Sequence, residues 1–381
     1  MATLQGLTEL GNLCQCTLKC TRQSRWKETT QRYLADMLIR SVELQEEVLE
    51  GRYRVSKTTD FPLNERGHLR WIEAPVVRDR AVQKSLMEQV LVPSIRPYLI
   101  YDNYASLAER GTSFARKRFE VMLRRYIQRN GTDGYILLGD IRKYFESVVH
   151  ATLKKMLGPK LTAEPQEVAD LINYVIDSSS HSDNGLNLGS ECPQIFAVYY
   201  LNPLDVYIKV VKAIRYYGRY MDDFFIIGRT KAELTALLLE IEAKVAELGL
   251  TVNAKKTQIV KLRHGFTWLQ VKYFITPTGK IEKAMSHDKV VRERRRLKAF
   301  KRMLDQGTMS ENDIYNCYKS WRGSVVKDHN VYRSTITSLD KLYKSLFPAH
   351  EDVCSPMRSD IARRINHEAE TRDLYYCLTV N

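Results

Sequence analysis

Three aspartates carry the most chemistry. Asp140 ends the apolar run Gly134-Tyr-Ile-Leu-Leu-Gly-Asp140, and Asp222 and Asp223 lie in Tyr220-Met-Asp-Asp223 between two apolar segments. The first run has the length of a buried strand, and the second reads as a hairpin with two acids at its tip. Adjacent carboxylates repel unless a positive charge neutralises them. A hard magnesium ion does this with oxygen ligands and keeps positions for water and substrate phosphates. One strand-end acid facing two hairpin acids is therefore the arrangement of two-metal phosphoryl transfer. An Asp-Asp pair by itself is more often an exposed turn, and the flanking strands argue against that here.

Such acids need a sheet beneath them and helices around it. Hydrophobic spacing predicts helices over residues 26–53 (Leu34, Met37, Leu38, Val42, Leu44 and Val48 recurring), 79–100 (Val82, Leu86, Val90 and Leu91 inward), 113–128, 163–178 and 194–214. Residues 69–77, 215–220, 224–228, 250–252 and 266–275 read as extended. Residues 231–248 form an amphipathic helix with Leu234, Leu237, Leu238, Ile241, Val245 and Leu248 on one face and Gly249 as its stop. From His287 onward the pattern is helical, with Ser310 and Asp313 as a capping box and a further helix over 331–346.

The chain of 381 residues carries 59 Lys and Arg against 45 Asp and Glu, a net charge of +14 that fits a partner rich in negative charge. That excess is concentrated between Lys289 and Arg302, where Arg292, Arg294, Arg295, Arg296, Lys298 and Lys301 face only Glu293. Seven scattered cysteines do not form a disulfide framework, and Cys14, Cys16 and Cys20 lack zinc-site spacing. Neither a membrane span nor a signal peptide is legible, so a cytoplasmic protein is expected.

Taken in order, these blocks resemble reverse transcriptases. Tyr220-Met-Asp-Asp223 is similar to the polymerase signature of that family, and Asp140-Ile-Arg-Lys-Tyr-Phe145 to its first acidic motif. Gly185-Leu-Asn-Leu-Gly189 through Pro193-Gln194 resembles the nucleotide-pocket loop, Asn253-Ala-Lys-Lys-Thr257 the lysine motif, and Gly265-Phe-Thr-Trp-Leu269 the primer grip. Upstream, Arg70-Trp-Ile-Glu-Ala-Pro75 and Arg78-Asp-Arg-Ala-Val-Gln83 resemble the fingers blocks of prokaryotic members, including those of group II introns, diversity-generating elements and antiphage systems. Asn187 stands where the pattern often has proline, Cys192-Pro193 replaces its usual ending, and Trp268-Leu-Gln270 departs from its leucine and glycine.

The resemblance implies an α+β right-hand polymerase: an N-terminal helical extension over 1–60, fingers over 61–133 and 151–195, a palm over 134–150 and 196–280, and a helical thumb with tail over 281–381. It implies an RNA-directed DNA polymerase holding two magnesium ions, with manganese as a substitute, on Asp140, Asp222 and Asp223, with Ile141 beside them. Arg70, Arg78, Phe145, Gln194, Tyr220 and Met221 are then expected to meet the incoming nucleotide, with Phe145 disfavouring a ribose 2′-hydroxyl. Lys256, or equally Lys255, is expected to serve the leaving pyrophosphate. Trp268, Arg292, Arg295, Arg296 and Lys298 are expected to hold nucleic acid. The implied partners are an RNA template (a dedicated non-coding RNA among the candidates), the DNA product, dNTPs, and either an accessory protein or a second copy. Untemplated or protein-primed synthesis and a non-catalytic nucleic-acid scaffold stay open as alternatives. With little chain after the thumb, a stand-alone polymerase of an antiphage or retroelement system is expected.

Overall fold

The computed structural model describes residues 2–65, 68–180, 182–187, 189–329 and 333–348, and among these nine strands form three sheets, one of which carries the acids. β1 (Thr59–Glu65) pairs antiparallel with β2 (His68–Ala74). β3 (Tyr135–Gly139), β4 (Tyr217–Tyr220), β5 (Asp223–Gly228) and β6 (Gln258–Lys261) make a four-stranded antiparallel sheet in the order β4-β5-β3-β6. β7 (Phe266–Trp268), β8 (Val271–Ile275) and β9 (Ile281–Met285) form the third sheet.

β3 is unbroken apolar sequence because it is paired on both edges and covered on its faces: Ile136, Leu137 and Leu138 are all buried. Gly139 is required where β3 passes β5, since a Cβ there would lie 2.1 Å from the Phe224 ring. The helix Lys231–Ala246 opens with a capping box between Thr230 and Glu233 and buries Leu234, Leu237, Ile241 and Val245. The helix Thr112–Asn130 packs against the sheet through Phe119, whose ring meets Phe225 edge-on at 4.8 Å.

The chain divides into two units, one of residues 1–265 with 275–281, the other of residues 266–274 with 282–381. The first holds β1 to β6 and a continuous core running from Leu7 to Val252. In the second, the helices His287–Asp305, Glu311–His329 and Arg333–Leu346 enclose Leu297, Phe300, Ile314, Tyr318, Tyr343 and Phe347. Tyr318 and Tyr343 stack there at 4.3 Å.

Residues 26–53 depart from expectation. They form two helices, Glu28–Ala35 and Met37–Leu49, and the second buries Ser41, Leu44 and Val48 while Leu38 and Val42 are exposed. The small Ser41 lets the helix Leu10–Thr21 approach, with Cys14 Sγ 3.7 Å from Ser41 Oγ, and this rotates the apolar stripe partly outward. β1, β6 and β9 are additional strands, and residues 266–275 fold as a hairpin instead of one strand. Residues 250–252 contribute only an isolated bridge from Val252 to Ile141. Among the described residues no helix is long and apolar enough to cross a membrane.

Candidate active site

Register brings the acids together. Gly139 lies opposite Phe224, so one step further along the two strands Asp140 faces Asp223. The pair Tyr220–Asp223 closes a two-residue turn with Met221 and Asp222 at its tip, and Met221 takes the left-handed conformation at φ +55°. That conformation is costly for a side chain with a Cβ, so it needs external support.

Arg219 supplies the support. It is fully buried, forks onto the equally buried Asp205 (Nε to Oδ1 2.8 Å, Nη2 to Oδ2 2.6 Å), and donates from Nη1 to the Met221 carbonyl (2.8 Å) and from Nη2 to the Val198 carbonyl (2.9 Å). The Tyr217 hydroxyl also donates to Asp205. Burial works against the guanidinium's charge, but Asp205's field and hydrogen bonds outweigh it and hold the pKa above its usual value. The turn therefore rests on a buried, hydrogen-bonded ion pair.

The carboxylates interact strongly. Burial, then the charges of Asp222 and Asp140, push the Asp223 carboxyl up to about 7. Asp140 is 5% exposed and accepts hydrogen bonds at Oδ1 from Asn253 Nδ2 (2.7 Å) and at Oδ2 from Lys256 Nζ (2.8 Å). The bond to Asp140 raises the Lys256 pKa, keeping the ammonium charged. Among the described residues no three Asp, Glu, His or Cys side chains are already drawn into a closed ligand group. The donor set still fits a divalent ion: it is all oxygen, and burial together with the charges of Asp222 and Asp140 raises Asp223, a cost that a hard cation relieves.

The family model for reverse transcriptase (RNA-dependent DNA polymerase) matches residues 55–273, more than half of the chain. The chain belongs to the reverse transcriptase family. No curated protein matches it. Similar solved structures include apo telomerase from Candida tropicalis truncated from its C-terminal domain (10% identity, 65% of this chain and 60% of that one, TM-score 0.45). Telomerase from Candida albicans in complex with a TWJ fragment of telomeric RNA (11%, 83% and 65%, 0.45) is another, as is apo Candida tropicalis telomerase (12%, 77% and 63%, 0.46). The chain thus spans 60% to 65% of the length of these telomerase chains, and at such scores the likeness carries no argument.

As a reverse transcriptase, the chain has the right-hand polymerase fold, an antiparallel sheet bearing the acids and helices around it. Ile141, expected beside the metal-holding acids, is buried next to Asp140 and bridged to Val252. Tyr220 is half-buried at the turn, where burial raises its pKa. Phe145 is half-buried, its ring 5.7 Å from Tyr144, and its carbonyl accepts from Leu186 N (2.8 Å), which ties it to the Gly185–Gly189 loop. In that loop the N–H of Asn187 donates to the Ser179 carbonyl (2.9 Å), a bond that proline could not make. Gly189 packs so closely against β2 that a Cβ would lie 2.0 Å from the Glu73 carbonyl. Gln194 Oε1 accepts from Ser106 Oγ (3.0 Å).

The remaining expected residues have these surroundings. Both terminal nitrogens of Arg78 bond to Glu47, and its guanidinium lies 5.5 Å from the Tyr53 ring centre. Arg70 pairs with Leu63 in the β1–β2 register, and its side chain lies outside the described residues. Among the described residues Lys255 makes only a backbone bond, its N–H donating to Asn253 Oδ1 (3.3 Å), whereas Lys256 reaches Asp140. In the second unit Trp268 is 4% exposed, which leaves little of it for a nucleic-acid surface. Arg292, Arg295 and Lys298 are exposed, whereas Arg296 turns to Glu293 (3.7 Å) and the Phe300 ring (4.9 Å). Arg219 and Asp205 had a legible signal: single opposite charges within otherwise apolar elements.

Proposed function

We propose that the chain is an RNA-directed DNA polymerase that extends a primer with deoxynucleotides by two-metal phosphoryl transfer. The supporting observation is the approach of Asp140 and Asp223 across the β3–β5 register, with Asp222 beside them on a turn held by Arg219. Asp140, Asp222 and Asp223 would hold the divalent ions, which supply Lewis-acid charge at the attacking hydroxyl and the leaving phosphates. The protein's own groups do the rest. Lys256 keeps a charged ammonium at the acids, from which it can donate a proton to the departing pyrophosphate. Phe145, whose carbonyl accepts from Leu186 N, would supply the bulky ring that excludes a ribose 2′-hydroxyl. Gln194 is positioned by Ser106 and borders the nucleotide.

We assign the fingers, with palm elements, to residues 61–133 and 151–195, the palm to 134–150 and 196–280, and a helical thumb with C-terminal tail to 281–381, of which 349–381 lie outside the described residues, with 1–60 as a helical extension. The exposed arginines of the helix His287–Asp305 are proposed to track template–primer phosphates. The motif resemblance supports a prokaryotic antiphage or retroelement setting with an RNA template. The deciding experiment is extension of a primed RNA template with magnesium and dNTPs: wild type extends and Asp222→Ala does not. Equal activity of the two proteins overturns the reading. Sequencing the product separates templated from untemplated synthesis.

A further inference from the structure

At the end of β4 away from the acids, the first unit holds a groove of about 510 Å³ lined by Arg118, Arg125, Arg129 and Arg215 with Asp102 and Tyr216. Tyr216 precedes β4 and Tyr220 ends it, so the groove lies on the order of 13 Å from the acidic turn, at about 3.3 Å per strand residue. Arg118, Arg125 and Arg129 share one face of the helix Thr112–Asn130 and span roughly 16 Å at about 1.5 Å per residue. The Tyr216 ring meets Tyr126 at 5.4 Å, and its hydroxyl donates to the Arg125 carbonyl (3.5 Å), which sets the register between the helical row and Arg215.

The charges there are unbalanced. Asp102 is already satisfied, by Arg118 Nη2 (3.1 Å) and Lys209 Nζ (3.0 Å). Arg125, Arg129 and Arg215 are exposed and have no carboxylate partner among the described residues. Three guanidinium groups held around one concavity repel one another, a cost recovered when an anion with several separated charges enters. Met122 and Tyr216 belong to the lining but are buried, and the charged groups it presents are mostly guanidinium, which suits phosphates.

We propose that this groove binds the phosphodiester backbone of an RNA strand outside the catalytic cleft, holding the template by a second, sequence-independent contact. The proposal rests on the polymerase reading. Its test uses the full chain, a labelled single-stranded RNA, and a minimal primer–template for extension. Replacing Arg125, Arg129 and Arg215 together by Gln is expected to weaken RNA binding roughly ten-fold at moderate salt and to lower the salt slope by about 2, at about 0.7 per lost phosphate contact. Extension of the minimal primer–template stays at the wild-type rate, which also shows that the variant is folded. A control variant replaces the exposed Arg22, Arg25 and Lys27 by Gln and is expected to bind RNA like wild type. Unchanged affinity and slope in the groove variant, or an equal loss in the control, overturns the proposal, as does displacement of the RNA by inorganic tripolyphosphate at comparable concentration. Absence of extension in wild type overturns the polymerase reading instead, and the binding comparison remains readable.

Discussion

The Arg219 Nη1 group donates a 2.8 Å hydrogen bond to the carbonyl of Met221, the residue immediately before Asp222, while the rest of its guanidinium is locked onto Asp205. A lysine at this position keeps the charge opposite Asp205 but has one nitrogen and cannot serve both partners. Arg219→Lys is therefore expected to fold and to lose kcat by about 10- to 100-fold, since misplacing a reacting group by about 1 Å has that effect, with KM for dNTP little changed. Arg219→Leu leaves Asp205 buried without its counterion and should lose about 3–5 kcal/mol of stability. Single-turnover extension and urea unfolding distinguish the two. Wild-type kcat in Arg219→Lys would show that the turn holds its shape unaided.

Lys256 and Lys255 are neighbours with different surroundings: the Lys256 ammonium is 2.8 Å from Asp140, and the Lys255 backbone N–H donates to Asn253 Oδ1. Lys256→Ala is expected to lower kcat by about 100-fold, the lower range for loss of a general acid. Lys255→Ala should remain near wild type. Parallel extension assays check this, and equal losses would assign the role to neither residue.

Phe145 is tethered through its own carbonyl, so truncating the ring leaves the Leu186 bond in place. Phe145→Ala should consequently open space beside the sugar and improve ribonucleotide incorporation relative to deoxynucleotide by about 10- to 100-fold, the range a steric pocket contact controls. Competition of rNTP with dNTP on one template measures the ratio. An unchanged ratio shows that the ring serves the core.

Sequence pattern read the β3 strand, the acidic turn and the helix Lys231–Ala246 well because each buries one continuous apolar run or stripe that local periodicity records. What it missed depends on contacts distant in the chain. Asp205 and Arg219 look like isolated charges until tertiary packing places them 2.6 Å apart, and Lys256 is distinguishable from Lys255 only once Asn253 and Asp140 fix the loop. Leu38 and Val42 have the right spacing for burial, but Ser41 sets the packing face. Arg78 shows the same limit, as its partner Glu47 lies on another helix.

The hairpin between β7 and β8 turns on Leu269 and Gln270, both left-handed, at φ +43° and +68°. A two-residue turn with two positive φ angles favours Asn-Gly, and each residue with a Cβ costs about 1–2 kcal/mol there. Gln270→Gly removes that local cost but also gives the unfolded chain more freedom, so a net gain of about 0.5–1 kcal/mol is expected. The midpoint of urea unfolding should rise. A fall would mean that the Gln270 side chain contributes more than its backbone costs.

On the helix His287–Asp305 the basic residues are not equivalent. Arg292, Arg295 and Lys298 point to solvent, while Arg296 lies 3.7 Å from the buried Glu293 and 4.9 Å from the Phe300 ring centre. Neutralising any of the first three should reduce the salt dependence of duplex binding by about 0.9 in log–log slope per contact. Arg296→Gln should leave the slope unchanged and destabilise the fold by about 1 kcal/mol, because a buried charged group loses its partner. Burial already raises the Glu293 pKa, with Arg296 opposing it, so removing Arg296 raises it further. A carboxyl with a raised folded-state pKa destabilises the fold as pH climbs above its unfolded value and has no such effect once protonated in both states. The extra instability of Arg296→Gln is therefore expected at neutral pH and should vanish in acid below the ordinary glutamate range. A loss of stability independent of pH would assign Arg296 to packing on Phe300 alone.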